Sequence, residues 1–308
     1  MKLIYYIIPL LAIFVTTVAC SSNLSAAFRK TISIEGVTFP SSGYHVKWKE
    51  TDTHKFKIMV DDGRLLRKWK FKKRTKDTLK TGKSYINTIG MNFVWVPAGD
   101  FVMGRNGNSS EGPAHRVKIQ KGFWIARTEV TQKHWQSLMG SNPARFRQAL
   151  HPVEQINWDE CQQFCKKLTH KEKICYQLPT EAQWEYACRA GKQSSSFFNI
   201  SYTNAWHGGN TNGKTRPVGL SEPNAWGIYD MLGNVWEWCL DDYHSSFKGA
   251  PADGSAWINS KKRFKVRRGG CWRNAPFECN ITTRAYYGPD KKYDSLGFRP
   301  VIVGKVAP

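Results

Sequence analysis

Carboxylates are scarce in this chain of 308 residues: 24 Asp and Glu stand against 46 Lys and Arg, for a net charge of +22. That balance excludes an acidic solvating protein and points to anionic neighbours such as phospholipid, cell-wall polymer or nucleic acid. Several chemistries are missing as well. No Ser-His-Asp order, Gly-rich phosphate loop or Cys-pair zinc motif occurs. His115, His134, His151 and His207 are scattered rather than grouped. No internal repeat is present, which excludes a solenoid or propeller array. The longest apolar run, Leu3 to Val18, is short for a membrane span.

That run follows Lys2, the pattern of a targeting segment, so residues 1–27 are assigned as signal. Thr17-Val18-Ala19-Cys20-Ser21-Ser22 resembles a bacterial lipoprotein cleavage site, with Thr where Leu is usual. Cys20 would then be lipidated and become the mature N-terminus. The alternative is ordinary cleavage near Ala26-Ala27. Either route exports the chain to the periplasm or cell envelope. Seven cysteines remain after Cys20, an odd number, so at least one thiol stays unpaired within the chain. Cys161 and Cys165 fall one helical turn apart, where a disulfide is strained, and read as packed thiols.

Residues 28–85 form a basic, β-rich extension. Ile32 to Phe39 and Lys55 to Val60 alternate like strands, and Asp61-Asp62-Gly63 suits a hairpin turn. Arg64 to Arg74 interleaves bases with apolar residues but carries no nucleic-acid-binding motif, so a solvated strand face is expected and nucleic acid is not. The main domain, residues 86–305, opens with strands at Phe93–Val96 and Phe101–Met103. Thr131, Asn157 or Asp159, and Thr180 are placed to cap three helices. Periodicity vanishes after Ser194.

Within that irregular stretch lies Trp226-Gly227-Ile228-Tyr229-Asp230-Met231-Leu232-Gly233-Asn234-Val235-Trp236-Glu237-Trp238. Glu237 is held between two indoles, and a buried carboxylate needs a cation or several donors. Asp230, the Gly233 and Val235 carbonyls and Glu237 form an oxygen set that suits calcium. An aromatic turn pinned by hydrogen bonds is the alternative.

The ordered motifs Phe101-Val102-Met103-Gly104, Thr128-Glu129-Val130-Thr131, Leu178-Pro179-Thr180-Glu181, Trp184-Glu185-Tyr186-Ala187, the segment above, Arg268-Gly269-Gly270-Cys271-Trp272 and Gly297-Phe298-Arg299 resemble the formylglycine-generating enzyme family, also called the sulfatase-modifying-factor family. The match runs from about Ile89 to Val303. The resemblance implies an α+β, C-type-lectin-like fold with little regular secondary structure. It implies calcium at Asp230, Gly233, Val235 and Glu237. A second calcium at Asn204 and Ala205 lacks its acidic ligand here, Asn210 and Asn212 being the nearest oxygens. Active members bind Cu(I) between two Cys and convert a sulfatase Cys to formylglycine. In this chain the first of those positions is Asn274 and the second is Cys279, while Cys271 replaces the usual Ser after Gly-Gly. Soft thiolates select Cu(I) and an Asn amide does not, so the usual copper site is not expected to assemble. Cys271 and Cys279 remain the candidate catalytic pair if copper is held in a displaced site. Otherwise Cys271 bridges Cys239, or both are packed thiols. Pro300 stands where some relatives carry the Cys that bridges to the Cys188 position. Arg268, Arg284 and Arg299 recur at family positions, either for catalysis or to pin loops. The resulting expectation is a non-oxidase member that binds another exported protein or an envelope component. The extension would meet an anionic surface, and the membrane would be reached only through a lipid anchor. A divergent copper-dependent oxidase is the alternative.

Overall fold

The computed structural model describes the backbone of five strands between residues 31 and 72, and residues 83–304 except 109, 193–204, 260 and 262. The signal segment, Cys20, the Asp62-Gly63 turn and Asn204 lie outside the described residues. The chain divides into two compact units, Met1–Thr75 and Lys76–Pro308.

In the first unit the alternating segment from Ile32 to Phe39 is two strands, β1 (Thr31–Ile34) and β2 (Val37–Pro40), which pair with each other, Ile32 opposite Phe39. β3 (Tyr44–Glu50), β4 (His54–Asp61) and β5 (Arg64–Lys72) follow as an antiparallel meander in that order. Asp61 pairs with Arg64, so two residues connect β4 to β5. The basic run is therefore largely β5.

The second unit begins earlier than the sequence reading placed it. β6 (Ser84–Ile86) pairs with β7 (Asn92–Val96), so Ser84 and Tyr85 belong to its main sheet. β8 (Gly99–Met103) and β9 (His115–Ile119) form a separate hairpin, with Val117 and Ile119 buried on one face. β10 (Phe123–Ala126) is buried on both faces. Its period of two sends Phe123 and Ile125 into one core and Trp124 and Ala126 into another. The main sheet, ordered β11-β16-β10-β7-β6, thus separates two cores.

Helices α1 (Gln132–Met139) and α2 (Trp158–Glu172) line the second core through Trp135, Cys161, Phe164, Cys165 and Leu168. Thr131 caps α1, and its hydroxyl accepts from the His134 N–H at 3.2 Å. Asn157 and Glu160 cap each other's backbone N–H at 2.9 Å at the start of α2. α2 runs on to Glu172, where Leu168 extends its apolar stripe and Glu172 accepts from Tyr176 and Thr88. After β11 (Tyr176–Gln177), α3 (Glu181–Arg189) is capped by Thr180 and packs in the first core. β12 (Trp236–Asp242), β13 (Lys265–Arg268), β14 (Arg284–Tyr287) and β15 (Leu296–Gly297) make a four-stranded sheet, and β16 (Val301–Ile302) returns to the main sheet.

Between 205 and 235 the described residues form no named helix or strand. Side chains hold the backbone instead. Asn224 accepts from the Trp226 and Ile228 N–H groups at 3.0 and 3.1 Å and donates to the Ala187 carbonyl at 2.8 Å. The two cores, with little ladder pairing in between, are an α+β arrangement.

Candidate functional site

The turn before β12 is built around close backbone approaches. A Cβ on Gly233 would lie 2.1 Å from the Trp206 carbonyl oxygen, so only glycine fits there. Asp230 and Asn234 both adopt left-handed φ, at 52° and 59°. The Asn234 amide donates to Glu129 Oε1 at 3.0 Å and accepts from the Arg216 N–H at 2.9 Å. The Asp230 carboxylate accepts from the Gly219 N–H and the Ser221 hydroxyl.

Glu237 stands opposite Gly297 of β15, which delivers Arg299. Arg299 forks onto Glu237, Nε to Oε2 and Nη2 to Oε1, both at 2.7 Å, and Trp184 Nε1 donates to Oε2 at 2.8 Å. Arg299 also donates to the carbonyls of Ala126, Tyr229 and Asp230. Donors of protein origin thus satisfy Glu237. Glu129 is different. It is fully buried, and its Oε2 has no protein partner among the described residues. Burial, and then the charge of Asp230, push its carboxyl well above the usual range; Arg299 opposes and Glu237 adds to the shift.

Three buried carboxylates, Glu237, Glu129 and Asp230, thus lie within electrostatic reach of the Arg299 guanidinium, and only Glu237 binds it directly. That chemistry fits a hard cation such as calcium. No three His, Cys, Asp or Glu side chains converge on one point among the described residues, so a cation would draw on the Gly233 and Val235 carbonyls as well. Of the second calcium set, Ala205 and Asn210 are described and Asn204 is not. Asn210 Nδ2 donates to the Ala205 carbonyl at 2.8 Å, and Asn210 Oδ1 accepts from the His207 N–H at 2.9 Å, so this turn closes on itself.

The candidate thiols lie beyond β13. Gly270 has φ 79°, and a Cβ there would sit 2.8 Å from Cys279 Sγ. Asn274 folds back over this turn. Its Oδ1 accepts from the Cys271 N–H and the Cys271 thiol, each at 3.0 Å, and its carbonyl accepts from the Gly208 N–H at 2.9 Å. The Cys279 thiol donates to the Cys271 carbonyl at 3.8 Å. Burial pushes Cys279 up to about 12, with the neighbouring Cys271 adding to it, and burial raises Cys271 as well. Both are neutral thiols with internal acceptors. A Cys271–Cys239 bridge is not formed. Both thiols are free and buried, Cys239 in the α3 core and Cys271 in the α1–α2 core. Cys161, Cys165 and Cys188 are buried free thiols too.

The recurring arginines pin the frame. Arg284 forks onto Glu181 at 2.7 and 2.6 Å and donates to the Ser110 and His244 carbonyls. Arg268 bridges Glu181 at 3.2 Å and Glu185, and Arg189 binds Glu185 at 2.9 and 2.6 Å. Glu129, Glu181 and Glu185 enter the sequence analysis only as members of motifs, with no partner assigned to them. The spacing of Glu181 and Glu185, one helical turn apart, together with the recurring Arg268 and Arg284, was the available signal.

Comparison with known proteins fits this geometry. A family model described as the sulfatase-modifying factor enzyme 1-like domain matches residues 83–303. The chain is 27% identical over 267 residues to the chaperone protein LppX of Paenibacillus barcinonensis, covering 69% of this chain and 88% of that relative. It is 28% identical over 207 residues to the formylglycine-generating enzyme of Mus musculus, covering 60% of this chain but only 52% of the mouse protein. It is 27% identical over 192 residues to the inactive C-alpha-formylglycine-generating enzyme 2 of Bos taurus, covering 58% of each. Among solved structures, PvdO from Pseudomonas aeruginosa superposes with a TM-score of 0.66 at 29% identity, over 72% of this chain and 98% of PvdO.

Proposed function

This chain belongs to the sulfatase-modifying factor enzyme 1-like family, and from that premise we propose that it is a non-oxidase member, exported to the cell envelope, that binds a protein or envelope component through its irregular loops. The observation that carries this reading is Asn274. It stands where resemblance to active members expects the first copper Cys, and its side-chain oxygen is consumed by the N–H and thiol of Cys271. Cu(I) needs converging soft thiolates. Here Cys279 is a buried neutral thiol whose proton faces the Cys271 carbonyl. Relatives described as a chaperone and as an inactive enzyme make a non-oxidase role familiar within the family. Among the described residues no helix is long and apolar enough to cross a membrane.

The turn from Asp230 to Glu237 holds calcium in this reading. Its ligands are Asp230, the Gly233 and Val235 carbonyls and Glu237, and the carboxylate excess around the unpartnered Glu129 oxygen supports it.

One observation favours the oxidase alternative: Cys271 and Cys279 sit on the same turn, tied by the 3.8 Å thiol–carbonyl contact. A Cu(I) titration of reduced protein separates the two. The non-oxidase reading expects weak binding and no aldehyde from a Cys-containing sulfatase peptide. Asn274→Cys should then restore tight copper binding. Tight binding by the unmodified chain, lost on Cys271→Ser or Cys279→Ser, would establish the displaced pair and overturn the proposal.

A further inference from the structure

The register of the β3–β4–β5 sheet sorts its charges by face. Lys47 pairs with Ile58 and Ile58 with Lys68; Lys49 pairs with Phe56 and Phe56 with Lys70; His54 pairs with Lys72. Residues directly opposite one another share a face, and alternate residues along a strand share it too. Lys47, Lys49, Lys68, Lys70 and Lys72 therefore occupy one face. Both carboxylates of these strands fall on the other. Glu50 is there opposite Lys55, and Asp61 is there opposite Arg64. Trp48 and Trp69, which share the partner Lys57, also lie on that second face.

The lysine face has a further order. Two lysine rows flank a central row of Phe56, Ile58 and Val60. Strands lie about 4.8 Å apart, so the two rows run about 10 Å from one another. Cations alone would suit any polyanion. Cations bordering an apolar row suit a headgroup–acyl boundary, where lysines meet lipid phosphates and the apolar row meets the acyl region. Nucleic acid fits less well, because only Phe56 in that row offers a base a stacking surface. The sequence adds proximity. Cys20, the residue expected to carry lipid, precedes Thr31 by eleven positions, which span at most about 40 Å even when fully extended.

We propose that the lysine face of the β3–β4–β5 sheet seats directly on the anionic surface of a phospholipid bilayer. The chain then meets its membrane at a protein face as well as at any acyl chain. This goes beyond the function proposed above and does not depend on copper or calcium.

The test uses the chain from Ser21, which keeps every described residue but has neither the apolar leader nor an acylated Cys20. It is sedimented with vesicles of phosphatidylglycerol and phosphatidylcholine, and with vesicles of phosphatidylcholine alone. Binding is expected to the anionic vesicles only, and it should be lost at high salt. Each lysine near such a surface is worth about a fivefold change in partition. Lys68→Gln with Lys70→Gln should weaken partition about 25-fold, and all five changes about 3,000-fold. Lys55→Gln with Lys57→Gln, on the other face, should leave it within a few-fold. Far-UV circular dichroism of each variant establishes that the sheet is intact. Equal losses from the two faces would mean that net charge alone acts, and would overturn the proposal. So would equal binding to neutral vesicles, or a chain that ignores vesicles and shifts duplex DNA in a gel.

Discussion

Glu185 offers a direct test of how the second unit is held together. Its side chain is fully buried. It accepts from the Gly104 N–H at 2.9 Å, from Arg189 Nε and Nη2 at 2.9 and 2.6 Å, and from Arg268 Nη2. Glu185→Gln keeps the shape but removes the charge and turns an NH2 group toward arginine donors. Removing one partner of a buried pair costs about 3–5 kcal/mol, because the charge left behind stays dry. Arg268 retains Glu181 at 3.2 Å, so the low end, about 3 kcal/mol, is expected. For a unit of this size each kcal/mol moves Tm by about 2–4 °C, giving a fall of about 6–12 °C. Scanning calorimetry of the transition of the 76–308 unit reads this, and guanidinium unfolding should show the same loss at an unchanged slope. The contrast is Asp100→Asn, at the partly exposed pair with Arg116, which should cost about 0–1 kcal/mol. A fall under 2 °C for Glu185→Gln would refute the idea that this network, rather than the apolar cores alone, fixes α3 against β8 and β13.

The pH dependence follows from Asp241, which burial and then the charge of Glu181 push up to about 7. As pH rises from the ordinary carboxylate range toward about 7, the unfolded chain ionises this group while the folded chain keeps its proton, so stability falls through that window and levels off above it. Asp241→Asn should flatten the fall in Tm between pH 5 and 7.5, and an unchanged slope would count against the assignment. If calcium occupies the Asp230–Glu237 turn, chelation should lower Tm and added calcium should restore it in proportion to the logarithm of its free concentration. No shift, in protein shown to hold no residual calcium, would remove that part of the proposed function.

What was legible in the sequence was local. Thr131, Asn157 and Thr180 announced their helices because a capping side chain acts within three residues. The strand at Phe93–Val96 was legible because alternation is a neighbour-to-neighbour signal. Glu237 was readable as a buried carboxylate in need of partners. Its actual partners, Trp184 and Arg299, lie 53 and 62 residues away, and no periodicity links them. The pairing of Glu129 with Asn234 spans 105 residues. Arg268, Arg284 and Arg299 could be read as pins, but only the folded chain says which carboxylates they pin. At the thiols, the motif located Asn274 and Cys279, yet the turn that makes Asn274 an acceptor for Cys271 is tertiary.

Arg299 follows in the chain every group that it pins, and Phe298 and Val301 beside it are fully buried. A ribosome makes those residues after the groups that they pin. Until they emerge, Glu237 has no guanidinium, the carbonyls of Ala126 and Tyr229 lack a donor, and the β10 edge lacks β16. The segment that completes the core is thus translated after the strands and turns that it closes. Closure of this core through Arg299 and β16 is therefore a long-range step that can begin only after the partners themselves have been made.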